Sequence, residues 1–197
     1  MLRSPFKLYP CYHLNHAYLD AVARLRRSEG LSAHEVEEVE CLVPAGEVPI
    51  VCEPAAAKAR PRSPYDAKFI LPFCVAASLF RDRVGIGAFT EESIGDAGLL
   101  GLAARVRYTV DPASPYPQTF PGWVRVRLTD GKTLEAREES QRGGPDRPIA
   151  PDDVIAKFRD NAARLLPTGG IAALETALLR IESAPLVSPV VTLSRAG

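Results

Sequence analysis

Hydrophobic and polar positions follow two different periods along this chain. The first has the spacing of a helix, with four apolar residues on one face: Tyr18, Ala21, Val22 and Leu25. This spacing predicts a helix over residues 14–29. Gly30 comes directly after it, and glycine is the residue that most often follows the last turn of a helix.

A period of two begins further along and predicts strands. Val39, Cys41 and Val43 alternate with polar residues, which is typical of a half-buried strand. Two later runs have the same alternation, with these apolar positions: Val106, Tyr108, Val110, Val124, Val126 and Leu128. Asp130-Gly131 is a strong hairpin signal and predicts that residues 133–137 return antiparallel to the strand before them. Because arginines occupy the polar positions of these strands, we expect the outer face of the sheet to be solvated.

Helical patterns occupy the rest of the chain. Residues 66–80 are apolar and predict a buried helix with Pro72 in its first turn, and residues 151–166 and 169–181 predict two more. Residues 53–64 are rich in proline and predict an exposed loop. Strands and helices are therefore segregated along the sequence. This order predicts an α+β fold, with an antiparallel sheet and helices packed on one face, in a single domain over residues 1–197.

Composition and charge exclude several classes of partner. Lysine plus arginine and aspartate plus glutamate balance at 24 each, so no basic excess favours nucleic acid or an anionic membrane. Hydrophobic residues make up 46% of the chain, but no apolar run is long enough to span a bilayer. The four cysteines form no CxxC pair and have no zinc spacing. We therefore expect no metal and no membrane, and reduced thiols in a cytoplasmic protein.

The segment from Lys7 to His16 carries most of the candidate chemistry. It combines a lysine, a cysteine, two tyrosines and two histidines. Pro10 keeps its first half extended, and the pattern becomes helical after Asn15, so the reactive side chains lie on an irregular segment that leads into a helix N-terminus. Backbone N–H groups there attract anions, which suits a carboxylate-rich ligand. The spacing alone favours a plainer interpretation, in which Lys7 is solvated, His13 caps a backbone group and His16 is a hydrogen-bonded polar residue.

A resemblance adds to this interpretation. Lys7-x-Tyr9-Pro10-Cys11, with His16 nine positions after the lysine, resembles the segment that opens the C-terminal domain of the MmgE/PrpD family. Four later segments resemble that domain in the same order: EGLSAHEVEEVE, AKFILPFCVAASL, FTEESIGD and RPIAPDDVIAKFRDNA. The family includes 2-methylcitrate dehydratase, cis-aconitate decarboxylase and an iminodisuccinate epimerase. Its full-length members begin with an all-helical domain that contributes to the active site, and nothing in this sequence resembles that domain.

The resemblance implies a function and site residues. It implies a lyase that acts on di- or tricarboxylates by proton abstraction and water elimination, with no cofactor. Lys7 and His16 would be catalytic, and His13, Tyr9 and Arg142 would bind the substrate. The implied partners are a small di- or tricarboxylate and either the missing helical domain or a second copy of the chain.

Two alternatives stay open at this point. The chain could be a non-catalytic module for carboxylate binding or dimerisation, or it could belong to a dicarboxylate epimerase or isomerase. Decarboxylation is disfavoured, because the family's decarboxylases carry a tyrosine four residues after the proline that ends the first strand, where this chain has Val48.

The isolated chain is expected to be folded, catalytically silent and prone to self-association. We expect Lys7 and His16 on an open, hydrated surface. We also expect an exposed apolar face around Tyr9, Tyr12, Tyr18 and residues 69–80.

Overall fold

The structure, a computed structural model, describes residues 5–195. The chain divides into two compact units, residues 1–149 and residues 150–197. The prediction of one domain over residues 1–197 stays a prediction. Within the described part of the chain, no helix has both the length and the apolar character needed to cross a membrane.

The first unit combines short helices with a four-stranded sheet. Its helices are α1 (His16–Glu29), α2 (Val48–Val51), α3 (Ala55–Lys58), α4 (Pro64–Ala67), α5 (Leu71–Phe80), α6 (Glu91–Gly95) and α7 (Ala97–Ala103). Its strands are β1 (Val36–Pro44), β2 (Val106–Asp111), β3 (Gly122–Leu128) and β4 (Thr133–Glu138). Short 3-10 turns lie at His13–Asn15, Ala33–Glu35 and Ile86–Ala88.

The sheet confirms the predicted α+β class but differs from the prediction in one pairing. Its strand order is β2-β1-β3-β4. β3 is antiparallel to both β1 and β4, as in the pair Cys41 and Val124. β2, however, runs parallel to β1, with Val39 opposite Val106, so the sheet is mostly antiparallel with one parallel pair. The physical reason is the connection: six helices separate β1 from β2, which is long enough for the chain to return and run in the same direction.

Helices cover one face of this sheet. α1 packs on β3 and β4, and α5 contacts both α1 and β2. Gly122 makes the close approach of α1 possible, since a Cβ there would lie 2.4 Å from the backbone nitrogen of Tyr18. The predicted helix over residues 66–80 is interrupted and α5 proper begins at Leu71, with Pro72 in its first turn as expected. Residues 53–64 are mostly exposed as predicted, but α3 adds one helical turn to them.

The opposite face carries charge, as its arginines predicted. Arg125 pairs with Glu40 at 3.3 Å and Arg127 pairs with Glu37 at 2.9 Å. A depression of about 180 Å³ lies on this face, lined by Glu38, Glu40, Arg125, Arg127 and Thr133. Because these charges are partly solvated and paired with one another, they contribute little to stability and offer no excess of either sign to a ligand.

The second unit is helical. It contains α8 (Pro151–Ala162), α9 (Thr168–Leu179), a 3-10 turn at Ile181–Ser183 and α10 (Ser188–Leu193). Both predicted helices are present. Arg159 on α8 forms a two-point ion pair with Glu175 on α9, with both N–O distances at 2.7 Å. Leu174 is buried, whereas Leu165, Leu179 and Leu186 are between 66% and 74% exposed.

Candidate functional site

Backbone hydrogen bonds hold the segment from Lys7 to His16 just before its first residue and at its middle. The N–H of Phe6 donates to the carbonyl of Gly143 at 2.8 Å, and the N–H of Tyr12 donates to the carbonyl of Lys68 at 2.8 Å. Gly143 has a φ of +107°, and a Cβ at that position would lie 2.2 Å from the carbonyl oxygen of Phe6, so the close contact requires glycine. The segment is therefore fixed between the loop after β4 and the residues before α5.

His16 lies at the start of α1 and is fully buried. Its Nε2 lies 3.4 Å from the carbonyl oxygen of Cys11, and its ring stacks at 4.9 Å on His13 and edge-on at 5.2 Å against Tyr9. Within residues 5–195, its Nδ1 has no hydrogen-bond partner. The expectation that His16 lies on an open surface is therefore wrong. The reason is that the segment before α1 folds back over the first turn of the helix.

The expectation of an exposed apolar face is also wrong for Tyr9, Tyr18 and most of α5. Tyr9 is 8% exposed, Tyr18 is 0% exposed, and most of α5 is buried. These residues belong to the hydrophobic core of the first unit, because α5 packs against α1 and α7.

His13 is only partly buried and has a partner that the sequence did not suggest. The amide Nε2 of Gln141 lies 2.7 Å from Nε2 of His13. With the amide as donor, the imidazole accepts through Nε2 and carries its proton on Nδ1. Burial lowers the pKa of His13, and electrostatic interactions with His16 and Lys7 lower it further. His13 is therefore a neutral imidazole at pH 7.

Lys7 is exposed, and it forms no ion pair with any carboxylate in the part of the chain that the structure describes. Its charge acts on His13 and on Cys11, whose pKa values it lowers. The ammonium group is therefore available to an external anion.

Two thiols are buried here, Cys11 within the segment and Cys74 on α5. Burial opposes ionisation of Cys11, but hydrogen bonds from Cys74 and His16 outweigh it, so the pKa of Cys11 falls below its ordinary value. Cys74 accepts a hydrogen bond from Asn15 Nδ2 at 3.3 Å, and burial raises its pKa. Cys74 is fully buried in the core, where it contacts the Lys7–His16 segment through Asn15.

Tyr9 and Arg142 are brought together by a residue that the sequence analysis did not single out. The hydroxyl of Tyr9 donates to Asp20 Oδ1 at 2.7 Å, and Arg142 Nε donates to the same oxygen at 2.8 Å. Arg142 Nη2 also lies 3.1 Å from the hydroxyl of Tyr9. Asp20 is 3% exposed on the buried face of α1. A carboxylate in an otherwise apolar helix face was the available signal.

The five predicted site residues thus fall into two groups. His13 and His16 stack on each other near the charge of Lys7, whereas Tyr9 and Arg142 form an ion-pair network with Asp20. The first group offers a cation and a neutral imidazole whose Nε2 is hydrogen-bonded to Gln141. The second group satisfies its own charge internally, which favours a structural role.

These features define the class of the protein as an α+β domain whose N-terminal segment carries an exposed ammonium and a partly exposed imidazole. The family model described as the MmgE/PrpD C-terminal domain matches residues 9–179. The chain belongs to this family, which confirms the resemblance seen in the sequence.

The chain is also distantly similar to mouse (Mus musculus) cis-aconitate decarboxylase. That protein is 23% identical to the chain over 184 residues, which cover 90% of this chain and 36% of the relative. The chain therefore spans about a third of that protein's length.

Proposed function

We propose that this chain supplies one wall of a binding site for a di- or tricarboxylate, as the C-terminal part of an enzyme that eliminates water next to a carboxylate. One observation carries the proposal. The exposed ammonium of Lys7 lies on the same short segment as the partly exposed, neutral imidazole of His13. Elimination of water after proton abstraction needs a base for the proton and a cation for the developing enolate charge.

We infer different roles for the two histidines, with Lys7 as the cation beside them. His16 has no exposed surface, so in this arrangement His13 is the imidazole that a ligand reaches, and His16 positions it by stacking at 4.9 Å. A direct catalytic role for His16, as the resemblance implies, requires the segment to open in the complete enzyme.

Water elimination is preferred over decarboxylation for this chain. The mouse relative is a cis-aconitate decarboxylase by name. At the position where the resemblance places a tyrosine in decarboxylases, this chain has Val48, a half-buried residue packed on the core at the start of α2. Valine has no hydroxyl group to donate a proton to a carbanion. Epimerisation of a dicarboxylate needs the same proton abstraction. Analysis of the product distinguishes it from elimination, since only elimination releases water.

A carboxylate-binding module without turnover is the second candidate. Arg142 and Tyr9, two of the predicted substrate-binding residues, already bind Asp20. The described part of the chain therefore leaves Lys7 as the main cation near the histidines. One ammonium can hold a carboxylate but provides little of the environment that catalysis needs.

A binding experiment tests the proposal. Citrate, 2-methylcitrate and cis-aconitate are titrated into the purified chain and followed by amide chemical shifts, with product formation measured in parallel. We expect perturbations around Lys7 and His13 but no turnover, and turnover on addition of the helical domain of a relative. Lys7→Ala should weaken binding by roughly tenfold or more, as expected for a lost charge-assisted contact.

Lys132→Ala is the matched control, because Lys132 is exposed and pairs with Glu29 at 3.5 Å. Equal affinity in the parent and in Lys7→Ala would overturn the proposal. Binding without turnover, even with the helical domain present, would select the non-catalytic module.

A further inference from the structure

The amide of Gln141 determines which nitrogen of His13 carries the ring proton. Nε2 of Gln141 lies 2.7 Å from Nε2 of His13. An amide nitrogen can only donate, so the imidazole nitrogen at this contact must accept, and the proton of the neutral ring lies on Nδ1. Gln141 is only 8% exposed, so little water competes with its amide for the imidazole. A residue in the loop after β4 thereby sets the chemical state of the segment from Lys7 to His16.

Two other rings keep the His13 imidazole in this orientation. His16 stacks on it at 4.9 Å, and Phe120 approaches it edge-on at 5.8 Å, with the ring planes 89° apart. His16 is fully buried, and Phe120 packs against the hydrophobic core. The imidazole cannot turn over and exchange its two nitrogens without disturbing both ring contacts and the hydrogen bond from Gln141.

The second nitrogen of His13 is accessible. Within residues 5–195, Nδ1 of His13 has no hydrogen-bond partner, and in contrast to Nδ1 of His16 it is not buried. Lys7, on the same segment, is exposed and acts electrostatically on His13. The segment thus presents an N–H donor together with an ammonium group. Two donors of this kind suit an anionic oxygen, and a carboxylate offers two such oxygens.

We propose that Gln141 is a positioning residue, which holds His13 as a neutral N–H donor to a carboxylate oxygen of the ligand, beside the ammonium of Lys7. The identity of the ligand rests on the proposed function, whereas the state of His13 in the free protein does not. In the proposed elimination, His13 and Lys7 both act on the carboxylate where negative charge develops. The base that removes the proton is then a separate group.

The same contact opposes protonation of His13. A second ring proton would place the N–H of His13 Nε2 against the N–H of Gln141, whose nitrogen is only 2.7 Å away. The imidazolium therefore cannot keep this contact. A carboxylate at position 141 would have the opposite effect, because it accepts a hydrogen bond where the amide donates one. Gln141→Glu keeps the length of the side chain and reverses the polarity of the contact, which a purely structural role would not register.

NMR spectroscopy tests the state of His13 in the free protein. Two-bond proton–nitrogen correlation spectra of a chain with isotope-labelled histidine distinguish protonated from unprotonated ring nitrogens. At pH 8 we expect the proton of His13 on Nδ1. His34 is exposed and serves as the internal reference for a solvated imidazole. Difference spectra of His13→Gln and His34→Gln assign the signals.

Three variants test the role of Gln141. Gln141→Glu should move the His13 proton to Nε2 and raise the pKa of His13, since a carboxylate stabilises the charged ring. Gln141→Leu should bring both ring nitrogens of His13 towards the averaged signals of His34. Gln118→Leu is the matched control, because Gln118 is exposed in the loop before β3, and it should leave His13 unchanged.

A citrate titration tests the contact with the ligand. In the parent, the signal of His13 Nδ1 should shift as citrate binds. Gln141→Leu should weaken binding by roughly three- to tenfold, the range expected for one hydrogen bond. Gln118→Leu should bind citrate like the parent.

Each part of the proposal has a result that would overturn it. A proton on Nε2 of His13 in the free parent, or identical His13 signals in the parent and Gln141→Leu, would exclude the positioning role. Citrate binding that shifts Lys7 but leaves Nδ1 of His13 unchanged would exclude the donor role. If citrate does not bind the parent at all, the proposed function fails, while the spectra of the free protein still decide the role of Gln141. If the position-141 variants do not fold, the spectrum of the parent decides alone.

Discussion

Asp20 binds Arg142 through both carboxylate oxygens: the backbone nitrogen of Arg142 lies 2.9 Å from Oδ2, and its Nε lies 2.8 Å from Oδ1. Tyr9 completes the network with its hydroxyl on Oδ1. Because Asp20 is almost fully buried on α1 and Arg142 follows β4, this pair fixes the loop after the sheet to the helix that carries His16. It also removes Arg142 from the set of cations that are free to bind a ligand.

Removal of the Asp20 charge should therefore destabilise the fold. Asp20→Asn leaves the Arg142 guanidinium without its counter-charge, and we expect it to lower the free energy of unfolding by roughly 3 kcal/mol. Urea titration followed by circular dichroism measures the change. Asp82→Asn is the control, since Asp82 pairs with Arg26 while 97% exposed, and it should leave the unfolding midpoint nearly unchanged. Equal effects of the two substitutions would contradict the structural role of the network.

The contact between α1 and β3 should be sensitive to added side-chain volume. Gly122→Ala places a methyl group 2.4 Å from the backbone of Ala17 and Tyr18, so the helix must shift. Overpacking of this kind should cost roughly 2 kcal/mol or more. Gly101→Ala on α7 is the matched control, because a Cβ there meets nothing within 4 Å, and it should stabilise the protein slightly. Thermal unfolding of both variants measures the change in stability. An unchanged unfolding temperature in Gly122→Ala would show that α1 does not pack on β3 in this way.

Local signals in the sequence predicted local structure well. Asp130-Gly131 gave the β3–β4 hairpin, with Gly131 at a φ of +87°. Gly30 ends α1 in the left-handed conformation, as expected of a residue after a helix. These features depend on neighbouring residues alone, which is why the sequence pattern carries them.

Pairings between distant residues were not visible in the same way. The parallel pairing of β2 with β1 joins residues that are 67 positions apart, as in Val39 and Val106, and no local period encodes it. The partners of the site follow the same rule, since His13 meets Gln141 across 128 positions and Asn15 meets Cys74 across 59. Sequence reasoning found the reactive residues of the segment but not the residues that bury, neutralise or activate them.

A buried carboxyl group should make stability depend on pH. Glu47 is 0% exposed, neither of its carboxyl oxygens has a hydrogen-bond partner within residues 5–195, and burial raises its pKa to about 8. The folded state therefore binds a proton that the unfolded state has released. The contribution of Glu47 to stability is greatest below the unfolded-state pKa near 4.5 and is lost as the pH rises towards 8. The loss should be roughly 3–5 kcal/mol across that window.

Glu47→Gln tests this dependence directly. The variant should lose the fall in stability between these pH values and should exceed the parent at pH 8. Glu92→Gln, at an exposed position in α6, is the control and should keep the parent's profile. Parallel profiles for the parent and Glu47→Gln in urea unfolding would show that Glu47 is solvated or paired.

The His13 imidazole should titrate below its ordinary pKa of 6.5. Its protonation therefore favours the unfolded state, and its contribution to stability falls as the pH drops through 6.5. Lys7→Met should raise the pKa of His13, because one of the positive charges that lower it is removed. The shift should be partial, since burial is the larger cause. NMR titration of the imidazole C–H signals measures the pKa of His13 in the parent and in the variant. An unchanged His13 pKa in Lys7→Met would show that Lys7 does not act on His13, which would contradict the pairing that the proposed function requires.

The second unit should determine how the chain associates. The most exposed large apolar residues in this unit are Leu165, Leu179 and Leu186, at 74%, 68% and 66% exposed. Exposed apolar surface on this scale favours contact with apolar dyes or with another protein surface. We expect the chain to enhance the fluorescence of anilinonaphthalene sulfonate and to associate in sedimentation velocity. Replacement of the three leucines by serine should reduce both effects without changing the unfolding midpoint of the first unit.

Tyr65→Ser is the control, because Tyr65 is 70% exposed in the first unit, and it should change neither effect. If the parent is monomeric and does not enhance the dye fluorescence, these side chains do not form an association surface. The predicted self-association would then be wrong.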